Sequence, residues 1–227
     1  MKKGDFLWGL ILLIWVAILI VPVSRIAFIG FTEAYPYIGG FIKFSILATM
    51  GDLLGTRMLK GKRIISNGII YKAIIWGIIG LMITLVFTVY MSGAEAAQVS
   101  GKLPFKGSIT AKAFFGSTIM NVTFGPMMMV FHRFTDTFID TKYEKKGRRI
   151  TMDELIDKID WHSLVKFSWL KTCSFFWIPA HTIVFLLPEE YRVIASAFLS
   201  IALGILMAIS KKEDVVKGNN NLSATAD

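Results

Sequence analysis

The chain consists mainly of long apolar runs separated by short polar segments. Six of these runs match the roughly 20 helical residues that are needed to cross the hydrocarbon core of a bilayer. The runs are continuous rather than alternating, which favours helices over the ten-residue alternating strands of a membrane barrel. The pattern therefore predicts an all-α, polytopic membrane helix bundle of about six transmembrane helices. The runs cover about residues 6–23, 37–54, 69–91, 109–134, 167–187 and 193–210.

The longest polar segment, residues 139–166, carries a further helix signal. Thr151 and Glu154 have the spacing of a capping box, and Leu155, Ile156 and Ile159 follow at roughly helical spacing. We expect a short amphipathic cytoplasmic helix here, with its acidic residues solvated near the helix N-terminus rather than bound to a metal. These acids are Asp153, Glu154, Asp157 and Asp160.

Composition and charge agree with a membrane location. The sequence is 54% hydrophobic and 18% charged, against about 25% charged residues in soluble domains. If the N-terminus is cytoplasmic and the chain crosses six times, sixteen of the 25 Lys and Arg residues face the cytoplasm and four face the opposite side. This bias follows the positive-inside rule and predicts that both termini are cytoplasmic. Topology and membrane lipid therefore account for the net charge of +9, and no nucleic-acid partner is expected.

The ends of the chain extend this picture. The first apolar run is longer than the core of a signal peptide and has no cleavage site after it, so we expect it to be retained as a helix. The sequence predicts one transmembrane domain over residues 1–212 and a disordered cytoplasmic tail over residues 213–227, where small polar residues are concentrated. Ile- and Lys-rich composition without a transit peptide favours a bacterial plasma membrane.

Signatures of catalysis and cofactor binding are missing from the sequence. It contains no GxSxG, GxxxxGK[ST] or HExxH motif and no glycine-rich dinucleotide loop. Cys173 is the single cysteine, and the three histidines fall on different elements. We therefore expect no enzymatic activity, no cofactor and no metal site.

Polar residues inside the apolar runs are the candidate functional residues, because such groups are costly in lipid and usually face a partner or water. We predict that the cytoplasmic ends of the second and fourth runs meet and form a polar cluster from Asp52, Arg133 and Asp136. This cluster could line a permeation path or be a structural ion pair, and His181 could be a gating residue or a buried polar residue. The full candidate set is Asp52, Asn121, His132, Arg133, Asp136 and His181.

Small residues at four-residue spacing predict close helix packing, since helices in lipid associate where small side chains let their backbones approach. One pair is Gly51 and Gly55. A longer repeat, Ser196, Ser200, Gly204 and Ala208, follows the last run. The repeat could pack within the bundle or against a second copy of the chain in a homo-oligomer.

Three patches of the sequence, at about residues 35–52, 125–138 and 177–192, resemble the peroxisomal membrane protein family of 22 kDa, also called the Mpv-seventeen family. They show its Gly-Asp, its Gly-Pro followed by an aromatic pair and Asp, and its Trp-Pro…Pro-x-x-Tyr-Arg signature. The departures are that His181 stands where Gln is usual and that one residue separates Trp177 from Pro179. The matching residues are Gly51, Gly125, Pro126, Trp177, Pro179, Pro188, Tyr191 and Arg192.

The family contains small multi-span proteins of organelle membranes, some implicated in pores for small solutes. The resemblance therefore implies a passive channel or carrier for small polar solutes. The alternative is a membrane factor that does not transport and acts through partner or lipid binding. An open, water-filled path lined by the candidate residues would favour the first, and a closed bundle with paired charges would favour the second.

Overall fold

The structure is a computed structural model that describes residues 3–60, 67–145 and 148–205. This part of the chain is almost entirely helical and contains no strand, which confirms the predicted all-α bundle. The predicted tail at 213–227, the domain boundary at 212, the end of the sixth apolar run and Ala208 lie outside the described residues. The first five helices are α1 Lys3–Ile20, α2 Pro22–Ala34, α3 Pro36–Lys60, α4 Ile69–Val99 and α5 Ile109–Glu144.

The remaining elements form the second half of the bundle. They are α6 Met152–Lys158, α7 Trp161–Ser163, a π-helical segment Leu164–Trp177, α8 Ile178–Leu186, and α9 over residues 189–205. One half of the predicted capping box is present, since Thr151 Oγ1 accepts a hydrogen bond from the Glu154 amide at 3.3 Å at the start of α6, whereas the Glu154 carboxylate accepts from Lys145. Pro179 lies in the first turn of α8, directly after the π-helical segment.

Several helices are long and apolar enough to cross a membrane, which is compatible with an integral membrane protein. Among the described residues α3, α4 and α5 meet this criterion individually, and α1 with α2 makes a fourth span if the bent pair counts as one. The predicted number of six crossings is therefore not established. The fifth run is divided by the change from π- to α-helix, and the sixth leaves the described residues.

The helix α2 is a feature that the sequence pattern missed. Pro22 occupies the first turn of α2, where a backbone N–H has no acceptor within the helix, so the N–H that proline lacks is not needed there. The axis of α2 is turned 89° from that of α1. Phe28 and Thr32 are its buried residues, whereas Val23 and Ile26 are exposed. The first apolar run therefore ends in a bend at Val21, because the proline begins a new helix there.

The core forms where α3 packs on α4, α4 on α5, and α5 on α8 and the π-helical segment. The small residues of α9 pack against α3, because a Cβ added at Gly204 would lie 2.9 Å from Gly51 O. This contact confirms the predicted close packing at Gly51, Ser200 and Gly204, and it assigns that face to the interior of the chain.

Candidate functional site

A cavity of about 250 Å³ lies between α3, α4, α5, α9 and the junction of the π-helical segment with α8, and we call it the central cavity. Its walls are mostly apolar and aromatic, and glycines on three of the helices also line it. A pocket with apolar walls and a few polar groups is the usual form of a small-molecule site. The apolar and aromatic residues are Phe44, Trp76, Ile79, Ile83, Met120, Phe124, Met128, Met129, Trp177 and Leu203; the glycines are Gly51, Gly55, Gly125 and Gly204.

One end of the central cavity is a buried hydrogen-bond network around His181. The His181 Nδ1 lies 3.2 Å from Asn121 Nδ2, and its Nε2 lies 3.1 Å from Ser196 Oγ. Asn121 Nδ2 also donates to the Ser117 carbonyl at 2.8 Å, so both ring nitrogens of His181 can be satisfied. The network joins α5, α8 and α9, and the Trp177 ring stacks on the His181 ring with the centroids 5.1 Å apart.

The other end of the central cavity carries Asp52, whose side chain is 44% exposed. Trp76 Nε1 donates a hydrogen bond to Asp52 Oδ2 at 2.7 Å. His132 Nε2 lies 3.9 Å from the same oxygen, which is too far for a hydrogen bond, and it has no hydrogen-bond partner in the described part of the chain. The Trp76 and His132 rings lie side by side, with centroids 4.2 Å apart. Three helices thus meet at Asp52.

The predicted cluster is wrong in one member, because its cation is Lys72 and not Arg133. Lys72 Nζ lies 3.4 Å from Asp136 and 2.9 Å from Asp140. Arg133 is exposed and forms no ion pair with any described residue. The reason is helix geometry: His132, Asp136 and Asp140 follow one another at four-residue spacing on α5, and Arg133 is rotated about 100° from that face. That spacing was a signal that the sequence already contained.

A second cavity, of about 350 Å³, lies at the start of α9 between the end of α2, the start of α3 and α4. Arg192 lies in it and donates to the Leu187 carbonyl at 3.0 Å and to Glu189 at 3.2 Å. Behind Thr32, Lys43 is 2% exposed; its Nζ donates to Thr32 Oγ1 at 2.8 Å and lies 4.6 Å from the centre of the Phe28 ring. The second cavity is lined by Thr32, Glu33, Pro36, Thr84, Phe87, Thr88, Glu189, Glu190, Arg192 and Val193.

The two cavities lie in line along α3, α4 and α9, on either side of a thin partition. On α4, Ile83 lines the central cavity and Phe87, one turn further, lines the second cavity. Phe87 contacts Phe185 edge to face with their centroids 4.9 Å apart, and it also contacts His181. Phe87 and Phe185 are 4% and 1% exposed, respectively, so the partition is filled by aromatic side chains.

The structure distributes the sequence candidates between these features. Asp52, Asn121 and His181 line the central cavity, and His132 lies beside Asp52. Asp136 is paired with Lys72, whereas Arg133 lines neither cavity and forms no ion pair with a described residue. Of the family-like residues, Gly51, Gly125 and Trp177 line the central cavity and Arg192 lines the second cavity, whereas the others line neither: Pro126, Pro179, Pro188 and Tyr191.

Sequence reasoning missed two functional candidates, Trp76 and Phe87, because nothing in an apolar run distinguishes a cavity-lining aromatic from a lipid-facing one. No family model, curated protein or solved structure matches this chain. The resemblance to the peroxisomal membrane protein family therefore stays a prediction.

Proposed function

We propose that this integral membrane protein is a passive carrier for small solutes, which move along α3, α4 and α9 between the central cavity and the second cavity. The observation that supports this proposal is the in-line arrangement of the two cavities. The lining residues Ile83 and Phe87 on α4 are four residues apart, which is about 6 Å along a helix, and Pro36 and Phe44 on α3 are eight apart, which is about 12 Å. A partition of that thickness is small beside the ~30 Å hydrocarbon core of the bilayer.

The aromatic partition favours a carrier over a permanently open pore. Phe87 and Phe185 fill the space between the cavities, so a solute can pass only when these side chains or their helices move. Alternating access exposes a solute site to one side of the membrane at a time, and a closed barrier on one side of the site is what one such state requires. Each cavity also has an exposed carboxylate in its lining, Asp52 in the central cavity and Glu33 in the second cavity.

The orientation of the chain and the membrane in which it lies belong to the same proposal. The charge bias supports cytoplasmic termini, which would place Asp52 toward the cytoplasm and the second cavity toward the opposite side. The composition supports a bacterial plasma membrane. The resemblance to the 22 kDa peroxisomal membrane protein family supports solute passage, and no catalytic step is proposed.

A second candidate function is a non-transporting membrane factor that holds a small molecule or a lipid tail in the central cavity. The filled partition is the observation that favours it, because a binding protein needs one closed compartment and no path. The two functions predict different effects on solute efflux when the partition is removed.

The test is efflux of small polar solutes from liposomes that contain purified protein, comparing the wild type with Phe185→Ala. If the cavities form a path, the wild type releases solute faster than protein-free liposomes, and Phe185→Ala increases the rate further because it opens the partition. Phe28→Ala is the matched control, since Phe28 is also a buried phenylalanine but packs on Tyr191 and takes no part in the Phe87–Phe185 contact.

The outcomes separate the two functions. Efflux that is no faster than from empty liposomes for the wild type and for folded Phe185→Ala would overturn the carrier proposal. An equal increase for Phe185→Ala and Phe28→Ala would show that general loosening, and not the partition, controls the flux.

A further inference from the structure

We propose that the central cavity selects small organic cations, in which an ammonium group is attached to a compact apolar body, and that Asp52 is the counter-ion. This inference rests on the proposed function in taking the central cavity as the solute site. It goes further in naming the charge and shape of the solute.

The charges around the central cavity favour a cation. Of the described residues that line it, Asp52 is the one acid, and none is Lys or Arg. In the described part of the chain, the nearby cations are already paired with other carboxylates: Lys72 with Asp136 and Asp140, and Arg57 with Asp5. Among the described residues, His132 is the ion-pair contact of Asp52, at 3.9 Å, and Lys72 attracts it only at longer range. A bound cation would supply the charge that Asp52 lacks.

Aromatic rings provide a second set of contacts for an ammonium group. Trp76 and Trp177 both line the central cavity, and tryptophan has the strongest attraction for cations among the aromatic side chains. The Trp76 indole is held in place by its hydrogen bond to Asp52, so a carboxylate and an aromatic ring are positioned together. An anion would meet unfavourable electrostatics at both groups.

The volume and the apolar walls of the central cavity indicate the size and shape of the uncharged part of the solute. The cavity of about 250 Å³ exceeds the ~150 Å³ that accommodates benzene and is smaller than the ~300–1,000 Å³ of drug-sized sites. Met120, Met128 and Met129 contribute flexible, polarizable surface that adapts to apolar groups of different shape. A solute of one ring or a short branched chain fits this description.

The second cavity provides independent support, because it is also acidic. Glu33, Glu189 and Glu190 line it, and Arg192 is the cation among its described lining residues. Lys43 lies behind Thr32 and does not line it. Clefts lined by charges of one sign raise the local concentration of solutes of the opposite sign. Both ends of the proposed path therefore favour cations.

The experiment uses probes of similar size and different charge: phenyltrimethylammonium, neutral methyl phenyl sulfone and benzenesulfonate. Calorimetric titration of the purified full chain in detergent measures binding, and liposomes containing the protein measure the flux of the two ions. We expect phenyltrimethylammonium to bind about tenfold or more tightly than either other probe and to cross faster than benzenesulfonate. Asp52→Asn should remove the preference, and Asp52→Glu should retain it.

Asp157→Asn is the matched control, because it removes one negative charge from an exposed residue of α6 that lines neither cavity. It should leave the preference for phenyltrimethylammonium unchanged. A loss of the preference in Asp157→Asn equal to that in Asp52→Asn would show that overall charge and not Asp52 is responsible, and would overturn the inference.

The remaining outcomes distinguish this inference from the proposed function. Equal binding of the three probes together with equal flux of the two ions, or a preference for benzenesulfonate, would overturn cation selection while leaving solute passage intact. Binding of phenyltrimethylammonium with no flux of any solute, also in Phe185→Ala, would overturn the carrier and retain the cation site. If Asp52→Asn does not fold, Asp52→Glu decides: loss of the preference in a folded Asp52→Glu would count against Asp52 as counter-ion.

Discussion

The contact between α3 and α9 at Gly51 gives a sharp prediction about stability. Gly51→Ala places a Cβ 2.8 Å from both the carbonyl carbon and oxygen of Ser200 and 3.0 Å from the Ile201 amide nitrogen. All three atoms belong to the backbone, so no side chain can rotate away. Ordinary contact begins near 3.4 Å, and the two helices would therefore have to separate by about 0.6 Å.

Gly55→Ala is a matched control one turn further along the same helix. There the added Cβ would lie 3.6 Å from the Gly204 Cα and 4.0 Å from its oxygen, which is ordinary contact. Overpacking typically costs about 1–3 kcal/mol, whereas Gly to Ala in a helix gains about 0.5–1 kcal/mol where the space exists. Because both variants share the helix gain, we expect Gly51→Ala to be less stable than Gly55→Ala by the overpacking cost of about 1–3 kcal/mol.

The measurement is equilibrium unfolding of the two purified variants and the wild type in mixed micelles with increasing denaturing detergent, followed by circular dichroism. The expected order of unfolding free energy is Gly55→Ala at or above the wild type and Gly51→Ala below it. If Gly51→Ala is as stable as Gly55→Ala, α3 and α9 do not cross at Gly51 and the packing described here is incorrect.

Three further predictions concern topology and ion pairs. Lys106 precedes α5 and Lys142 lies in its last turn, and both are exposed. A single cysteine at Lys106 should therefore react with an impermeant reagent from outside intact cells, and one at Lys142 only after permeabilization; the reverse pattern would contradict the proposed orientation. Lys72→Met should lower the unfolding free energy by about 1–3 kcal/mol because two carboxylates lose their cation, and an unchanged unfolding midpoint would refute this role. The hydrogen bond from Lys145 lowers the pKa of Glu154 below its ordinary 4.5, so this contact stabilises α6 from neutral pH down to that value and is lost as the pH falls through the lowered pKa. Hydrogen exchange of the α6 amides, corrected for intrinsic rates, should be faster in Glu154→Gln at neutral pH and equal to the wild type in acid, and equal rates at neutral pH would exclude the effect.

Local patterns in the sequence predicted those features that depend on neighbouring residues. The length of the apolar runs predicted the helices because every backbone group in lipid needs an internal partner. The spacing of Thr151 and Glu154 predicted the start of α6, since a cap involves only one turn of helix. The small residues Gly51 and Gly204 indicated close packing, although the sequence could not say that they pack against each other.

Tertiary structure alone decided which polar residues meet. Lys72 and Arg133 are both cations in apolar runs, and only the rotation of α5 against α4 gives Asp136 to Lys72 and leaves Arg133 exposed. Pro22 accounts for the break at Val21, but the direction that α2 takes after it likewise depends on what α2 packs against. The two cavities and the partition at Phe87 arise where several helices fail to fill the space between them. No single segment encodes such a space, because it is set by the relative positions of side chains that are distant in the sequence.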